Sequence, residues 1–377
     1  MNNRVQSIAA KVVKKADREH LADAVLRAEL KEAKSLSRNE GREISETVFA
    51  YYRWQGWLEQ KAQIPERLER AAELNRAFQN DPESVLESKL QRAIPAWVKE
   101  QVKVSPEWLR ALQLEPRLWL RARPGTGKGL AERLGHCWVA GDGLLADALR
   151  YEGTEDLFRT KEFHAGEFEL QDLSSQMVGW LCQPQPGETW WDACAGEGGK
   201  MLHLCDLMKN KGLLWASDRA AWRLQKLKRR AARAKVFNYR AVPWEGGAKL
   251  PTKTKFDGIL VDAPCSGMGT WQRNPQARWT TTPQDVSELS AIQKELLTNV
   301  VPALKPGGRL IYSVCTLTEA ETTGVAEAIT QRFPELKALA FLNPLQPAEP
   351  ATSRLLLWPQ TIEGNGMFIC GWQKPSV

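Results

Sequence analysis

Thr189-Trp190-Trp191-Asp192-Ala193-Cys194-Ala195-Gly196-Glu197-Gly198-Gly199-Lys200 is the stretch on which the fold turns. It opens as a short strand, passes through a glycine-rich turn and continues as an apolar helical stretch through Leu207. Glycines let a backbone approach a ligand closely, and amides at a helix start hold a polar group. A nucleotide-type ligand is therefore expected here, with Cys194, Ala195, Gly196, Glu197, Gly198, Gly199 and Lys200 as candidate contacts. The spacing Gly196-x-Gly198-Gly199 is not the G-x-G-x-x-G dinucleotide pattern, which removes the main support for nicotinamide chemistry.

Immediately downstream, Gly212 to Ser217 reads as a second strand ending at Asp218. An acidic residue about 20 positions beyond a glycine turn, at the end of the next strand, is placed to bind ribose hydroxyls; capping the following helix is its structural alternative. That helix is expected over Arg219 to Lys235, with Arg223 one turn along. From Gln171 onward strand-like and helix-like segments alternate, the pattern of a mostly parallel sheet with crossover helices. The expected fold class is α/β, preceded by two smaller parts. Residues 1–90 carry long helix-compatible stretches, with Ile44, Val48, Tyr51, Tyr52, Gln55 and Leu58 tracing one stripe. Residues 91–165, punctuated by Pro95, Pro106, Pro116 and Pro124, read as a small α+β module with a strand from Leu118. Residues 166–377 form the α/β domain. Pro124-Gly125-Thr126-Gly127-Lys128-Gly129 imitates a phosphate-binding loop, but position 122 is Ala and Gly129 replaces the required Ser or Thr, so a flexible turn is expected.

With 43% hydrophobic and 26% charged residues over 377 positions, the chain has globular composition, and disorder is excluded as its main state. Lys and Arg outnumber Asp and Glu by 52 to 45, a formal charge of +7 that suits a polyanionic partner without requiring one. No stretch resembles a signal peptide or approaches membrane-spanning length, so a cytoplasmic protein is expected. Seven scattered cysteines show no zinc-like spacing, which predicts free thiols, a reducing compartment and no metal. Of the 16 tryptophans, Trp271 and Trp279 sit beside Arg in expected loops, where stacking on bases is an alternative to packing.

Two of the cysteines occupy matching positions. Asp262-Ala263-Pro264-Cys265-Ser266-Gly267 follows the apolar run Phe256 to Val261, and Ser313-Val314-Cys315-Thr316 closes the run Arg309 to Tyr312. Both thiols should emerge at the carboxyl edge of the sheet, where open α/β sheets bind ligands. There one thiol can attack a substrate while the other moves a proton; as ordinary buried cysteines they would merely be small hydrophobes. Thr318-Glu319-Ala320-Glu321 reads as a capping box, which predicts a helix start just beyond Cys315 whose dipole favours the thiolate.

Together the glycine turn with Lys200, Asp218, the Asp262 to Gly267 segment and the Ser313 to Thr316 segment resemble the Nop/Sun family of S-adenosylmethionine-dependent RNA cytosine-C5 methyltransferases. Phe163, Gly166, Phe168, Gln171-Asp172, Ser174-Ser175-Gln176, Arg273-Asn274-Pro275, Arg278-Trp279 and Gly364 to Phe368 extend the likeness over about 95–373. The first 90 residues resemble the NusB-like domain of rRNA-modifying members, and the 91–165 module is similar to an RRM. The resemblance implies a Rossmann-like class I methyltransferase domain, S-adenosyl-L-methionine as cofactor, and RNA as substrate. It further implies Cys315 as nucleophile at cytosine C6, Cys265 as the base, and Asp262 as a contact to the base and cofactor. Pro264, Ser266, Gly267, Arg273 and Arg278 are implied RNA contacts, with further phosphate contacts from basic residues of the first two domains; a monomer is expected. The chemistry is coherent: C5 of cytosine becomes nucleophilic once a thiolate has added at C6, and a base must then remove the C5 proton.

Two departures stand out. Gly196-Glu197 replaces the family's usual Ala-Pro, leaving Glu197 to pair Lys200 or bind the cofactor amine, and Ala241 to Glu245 lacks the usual acidic residue near the adenine, so that Trp244 or Glu245 is its replacement. Small-subunit rRNA is the expected substrate. A tRNA substrate and a catalytically silent assembly factor on the same scaffold are the alternatives, while a redox role for the two thiols lacks a C-x-x-C context.

Overall fold

The computed structural model describes residues 2–33 and 35–376. Residue contacts divide the chain into two units, Met1–Pro116 with Gly267–Pro283, and Arg117–Ser266 with Gln284–Val377. The sequence suggested three consecutive parts; here the segment following the Cys265 loop belongs with the amino-terminal helices instead.

In the first unit, helices α1 (Asn3–Lys15), α2 (Ala22–Glu32), α3 (Arg38–Arg53) and α4 (Ile64–Asn80) bury a core that includes Val5, Val12, Val48, Leu68 and Phe78. Ser37 and Glu40 cap α3 reciprocally, and of the expected stripe Ile44, Val48, Tyr51, Tyr52 and Leu58 are buried. The segment Gly267–Pro283 completes this unit. Gln276 accepts from the Ala22 amide at 2.7 Å and donates to the Asp17 carbonyl at 2.8 Å, and Trp279 Nε1 donates to the Tyr52 carbonyl at 2.7 Å. Arg278 is wholly buried, its guanidinium donating to the carbonyls of Arg53, Ala93, Leu112 and Trp271. The assignment of Arg278 to RNA is therefore corrected: its donors are consumed by backbone acceptors, and no face of it reaches solvent. Trp271 is likewise core, and Trp279 is spent on Tyr52.

The second unit holds two sheets. Strands β1 (Leu118–Ala122), β2 (Cys137–Val139), β3 (Ala148–Tyr151) and β4 (Phe168–Leu170) form an antiparallel sheet in the order β2-β3-β1-β4. The phosphate-loop imitation lies after β1, where Asp147 accepts from the amides of Gly125 (2.7 Å) and Gly127 (2.8 Å) and so pins the turn. The larger sheet contains β5 (Thr189–Asp192), β6 (Leu213–Asp218), β7 (Tyr239–Pro243), β8 (Phe256–Asp262), β9 (Leu304–Val314), β10 (Lys337–Ala338), β11 (Arg354–Leu357) and β12 (Met367–Gln373). Its order is β10-β12-β9-β8-β5-β6-β7, with β5 to β9 parallel, β12 antiparallel to β9, and β11 paired with β12.

Alternation of side chains along each strand builds two cores from adjacent residues. Trp190, Leu214, Leu260 and Ile311 join one cluster with the helices Leu173–Cys182 and Gly199–Leu207, while Trp191, Trp215, Ile259 and Tyr312 join the other with the helix Pro283–Val300. Strand order reverses on either side of β5, so the crevice beyond its carboxyl end is a topological switch point. Register places Asp192 beside Leu260 and Asp262 beside Ser313, which brings the ends of β5, β8 and β9 to one edge. Among the described residues no helix is long and apolar enough to cross a membrane.

Candidate active site

A cleft of about 500 Å³ opens at that edge, lined by the whole turn from Asp192 to Glu197 with Gly199 and Lys200, and by Asp218, Arg223, Asp262, Pro264, Cys265 and Cys315. The sequence-expected cofactor and thiol residues thus converge on one crevice. Gly198 is not among the lining residues; its φ of +89° and a Cβ that would lie 2.8 Å from Leu227 explain why only glycine fits there. Glycine 196, at φ +56°, donates its amide to Asp218 Oδ2 at 3.0 Å, and Ala220 donates to Asp218 Oδ1 at 2.7 Å. Asp218 thus fixes the glycine turn and the residue before the helix Ala221–Arg233 while facing the cleft, but makes no cap bond to that helix.

On the other wall, Lys200 Nζ donates to Asp262 Oδ2 at 2.7 Å, and Ser313 Oγ donates to Asp262 Oδ1 at 2.7 Å. Burial works against the Lys200 ammonium, but the Asp262 carboxylate more than offsets it and holds the pKa above the ordinary lysine value. The Sγ atoms of Cys265 and Cys315 lie 3.4 Å apart, in hydrogen-bond contact as free thiols. Donation from Cys265 lowers the Cys315 pKa; burial and Asp262 oppose it, and Lys200 assists it.

The capping-box expectation is corrected. Only one 3₁₀ turn, Glu319–Glu321, follows Thr318, and the α-helix begins at Thr323. Thr318 Oγ1 donates to the Glu321 carboxylate at 2.8 Å, and the box's return bond is not made. A helix dipole acts within its first turn, so the Cys265 hydrogen bond replaces it as the leading stabiliser of the Cys315 thiolate. Glu321 itself, fully buried, accepts from the Ser266 amide (2.9 Å), Gln293 Nε2 (3.0 Å), Thr316 Oγ1 (3.3 Å) and Ser266 Oγ. It thereby ties the Cys265 loop to the Cys315 loop.

Glu197 does not pair Lys200: Lys226 Nζ binds its carboxylate at 2.8 Å, and Lys200 is taken by Asp262. Trp244 and Glu245 both line the cleft, and Trp244 packs on Trp191 with ring centroids 4.9 Å apart. Ser266 is not among the residues lining the cleft; its amide and hydroxyl are bound by Glu321. Gly267 and the half-buried Arg273 belong to the other unit. Sequence reasoning missed Glu321, Ser313, Ser175 and Asp192. Asp192 is 1% exposed, and neither of its carboxylate oxygens has a well-aligned partner; burial, reinforced by Asp262, pushes its carboxyl up to about 8.

This donor set fits S-adenosylmethionine. A buried carboxyl at Asp192 whose oxygens have no well-aligned partner, which a cation would draw into its ionised form, and a carboxylate at Asp218 suit a cationic ligand with a diol, while Trp244, Ile292 and Leu296 give an apolar wall for a planar base. Among the described residues no group of three or more His, Cys, Asp or Glu could hold a metal ion.

The sequence profile of 16S rRNA methyltransferase RsmB/F matches residues 179–373. A probable ribosomal RNA small subunit methyltransferase B from Synechocystis is 36% identical over 239 residues, 61% of this chain and 53% of that protein. Ribosomal RNA small subunit methyltransferase B from Salmonella typhi is 30% identical over 310 residues, 78% of this chain and 70% of that one. The chain spans about half the length of the Synechocystis relative and of its Bacillus subtilis counterpart. Among solved structures, PH0851 superposes with a TM-score of 0.76 at 20% identity, covering 98% of this chain and 97% of that one, a likeness of fold.

Proposed function

Because the chain belongs to the 16S rRNA methyltransferase RsmB/F family, we propose that it methylates C5 of a cytosine in small-subunit ribosomal RNA, acting as a cytoplasmic monomer. Its Rossmann-like α/β domain has the class I methyltransferase fold. The observation that carries the proposal is the Cys265–Cys315 pair, 3.4 Å apart, in the same cleft as the glycine turn and Asp218. In this reading the turn from Cys194 to Lys200, Asp192, Asp218 and Arg223 hold S-adenosylmethionine, which when bound supplies an electrophilic methyl group.

The chain's own residues supply the rest. Cys315, its pKa lowered by Cys265, adds as thiolate to cytosine C6, and the electron pair of the 5,6 double bond becomes available at C5 for methylation. Asp262, held by Lys200 and Ser313, orients the base through its amine edge. Cys265, once its own proton has gone to solvent, takes the C5 proton; the C5–C6 double bond re-forms, the C6–S bond breaks and the Cys315 thiolate is regenerated.

The two thiols separate in one experiment. Cys315→Ser should abolish methylation and any covalent adduct, because a hydroxyl is a far weaker nucleophile at neutral pH. Cys265→Ser should permit attack and methyl transfer but stall elimination, so a denaturation-resistant protein–RNA adduct accumulates. Denaturing electrophoresis with labelled small-subunit rRNA and S-adenosylmethionine reads both. An adduct only in the Cys315 variant would reverse the roles, and full activity in both variants would sink the mechanism.

A further inference from the structure

Between Asp218 and Glu245 lie nine Lys and Arg residues and no Asp or Glu, more positive charge than the formal +7 of the whole chain. Most of it stands on the helix Ala221–Arg233, whose buried face is Leu224, Leu227 and Ala231. Solvated basic faces are common, but this one carries large aromatics as well. Trp222 is 53% exposed, with Arg223 and Lys226 over its ring at 5.4 and 4.8 Å. Positions 222, 226, 229 and 233 follow helical spacing down one stripe about 16 Å long. The stripe leads into a second cleft, about 410 Å³, between this helix and Phe158, Phe163 and Leu170.

That cleft is built. Glu169 of β4, 1% exposed, accepts from Arg230 at 2.9 Å, Arg233 at 2.7 Å and Arg123 at 2.8 Å, so one buried carboxylate anchors three guanidinium groups and leaves the site positive. Arg233 lies 3.8 Å over the Phe163 ring, and Phe158 stands 58% exposed at the mouth. Arg229 pairs with no carboxylate among the described residues. Glu197 lines both this cleft and the cofactor cleft, and Arg219 and Arg223 line the latter, so the positive track is continuous with the candidate active site. Phosphates beside bases are what such interleaving of cations and exposed rings recognises.

We infer that the helix Ala221–Arg233 and the Phe158–Phe163 cleft form a track for single-stranded RNA flanking the target nucleotide. Lys226 and Arg229 meet phosphates, Trp222 and Phe158 stack on bases, and Glu169 holds the arginine floor in place. The inference rests on the RNA methyltransferase proposal and locates a binding surface that proposal leaves open. The first two domains, the expected source of further phosphate contacts, are nearly balanced in charge, with 28 Lys and Arg against 25 Asp and Glu over residues 1–165.

The test uses the full chain and a fluorescein-labelled, mixed-sequence single-stranded RNA of roughly 12 nucleotides, read by anisotropy across a salt series. Lys226→Gln with Arg229→Gln should weaken binding about tenfold and flatten the slope of log affinity against log salt by about 1.4, two contacts at about 0.7 each. Trp222→Ala should weaken binding with the slope unchanged. Lys209→Gln with Lys211→Gln, two exposed lysines just before β6 at the opposite sheet edge, removes the same charge and should change little. Equal losses from the Lys226/Arg229 pair and the Lys209/Lys211 pair, or unchanged binding in the track variants, would overturn the inference. If the track variants bind normally while the Cys265→Ser variant still accumulates the Cys315 adduct with rRNA, the track alone falls; if that variant forms no adduct and wild-type protein binds no RNA, the functional proposal falls and takes the track with it. A track variant that binds less RNA but keeps wild-type S-adenosylmethionine affinity by calorimetry supports the inference, since misfolding would impair both.

Discussion

On the cofactor side of the cleft, Asp218 holds the glycine turn through the Gly196 amide and its own loop through the Ala220 amide, both within about two dozen residues of it. On the thiol side, Glu321 holds the Cys265 loop from 55 positions away, using side-chain hydroxyls, an amide side chain and one backbone N–H. The first arrangement follows from a strand, a turn and the next parallel strand. The second exists only when β8, β9 and the helix Pro283–Val300 have come together. Backbone-held geometry tolerates side-chain substitution around it, whereas a buried carboxylate with several donors is a single point on which two loops depend.

The sharpest break between the halves should come from Glu321→Ala. Ser266, Thr316, Thr318 and Gln293 would lose a shared acceptor and the two thiols their spacing, a displacement that costs about 100-fold in rate. Single-turnover methyl transfer should fall by that order while calorimetric affinity for S-adenosylmethionine stays at wild type, and a parallel loss of affinity would show that the halves are not independent. Glu321→Gln, which keeps one acceptor oxygen, should recover part of the rate.

A reciprocal and smaller effect is expected from Asp218→Ala. Losing one ribose-facing carboxylate and a turn cap should weaken cofactor binding about tenfold, a loss of about 1.4 kcal/mol. Alkylation of Cys315 by iodoacetamide without cofactor should proceed at the wild-type rate. Slower alkylation would mean that the turn also positions the thiol.

The smallest change isolates the electrostatics of the thiol side. Because Cys265 donation lowers the Cys315 pKa, the alkylation rate should rise with pH and reach half its maximum below the ordinary thiol value of about 9. Cys265→Ala removes the donor, so the midpoint should move to higher pH and the neutral-pH rate should drop. A midpoint that stays in place would assign the lowering to Lys200 instead.

The same contrast explains what was legible beforehand. The strand from Thr189, the glycine turn, Asp218 and both thiols are local in sequence, and they stand together at the sheet edge. Thr318 to Glu321 was misread because a Thr-x-x-Glu string is the same whether the carboxylate turns back on its own helix or reaches a loop 55 residues earlier. Arg278-Trp279 likewise suggests nucleic acid in isolation; three carbonyls from distant segments, with a fourth from nearby Trp271, decide that the arginine is interior. Asp192 carried no signal separating it from any strand-end acid, since its lack of partners is a property of the assembled crevice. Polar groups whose partners are remote in sequence are the ones composition and spacing cannot resolve.

The threading of Gly267–Pro283 into the helical unit sets an order of events at the ribosome. The carbonyls that Arg278 satisfies belong to Arg53, Ala93 and Leu112, which are synthesised long before it. At about 5 to 20 residues per second, the intervening stretch takes roughly ten to thirty seconds to emerge. During that interval the amino-terminal helices lack their closing segment and carry buried acceptors without donors. The unit that begins first should therefore be completed late, and a fragment ending at Pro116 should expose its core and need a holdase until Gly267–Pro283 is supplied, as a separate peptide or by the rest of the chain.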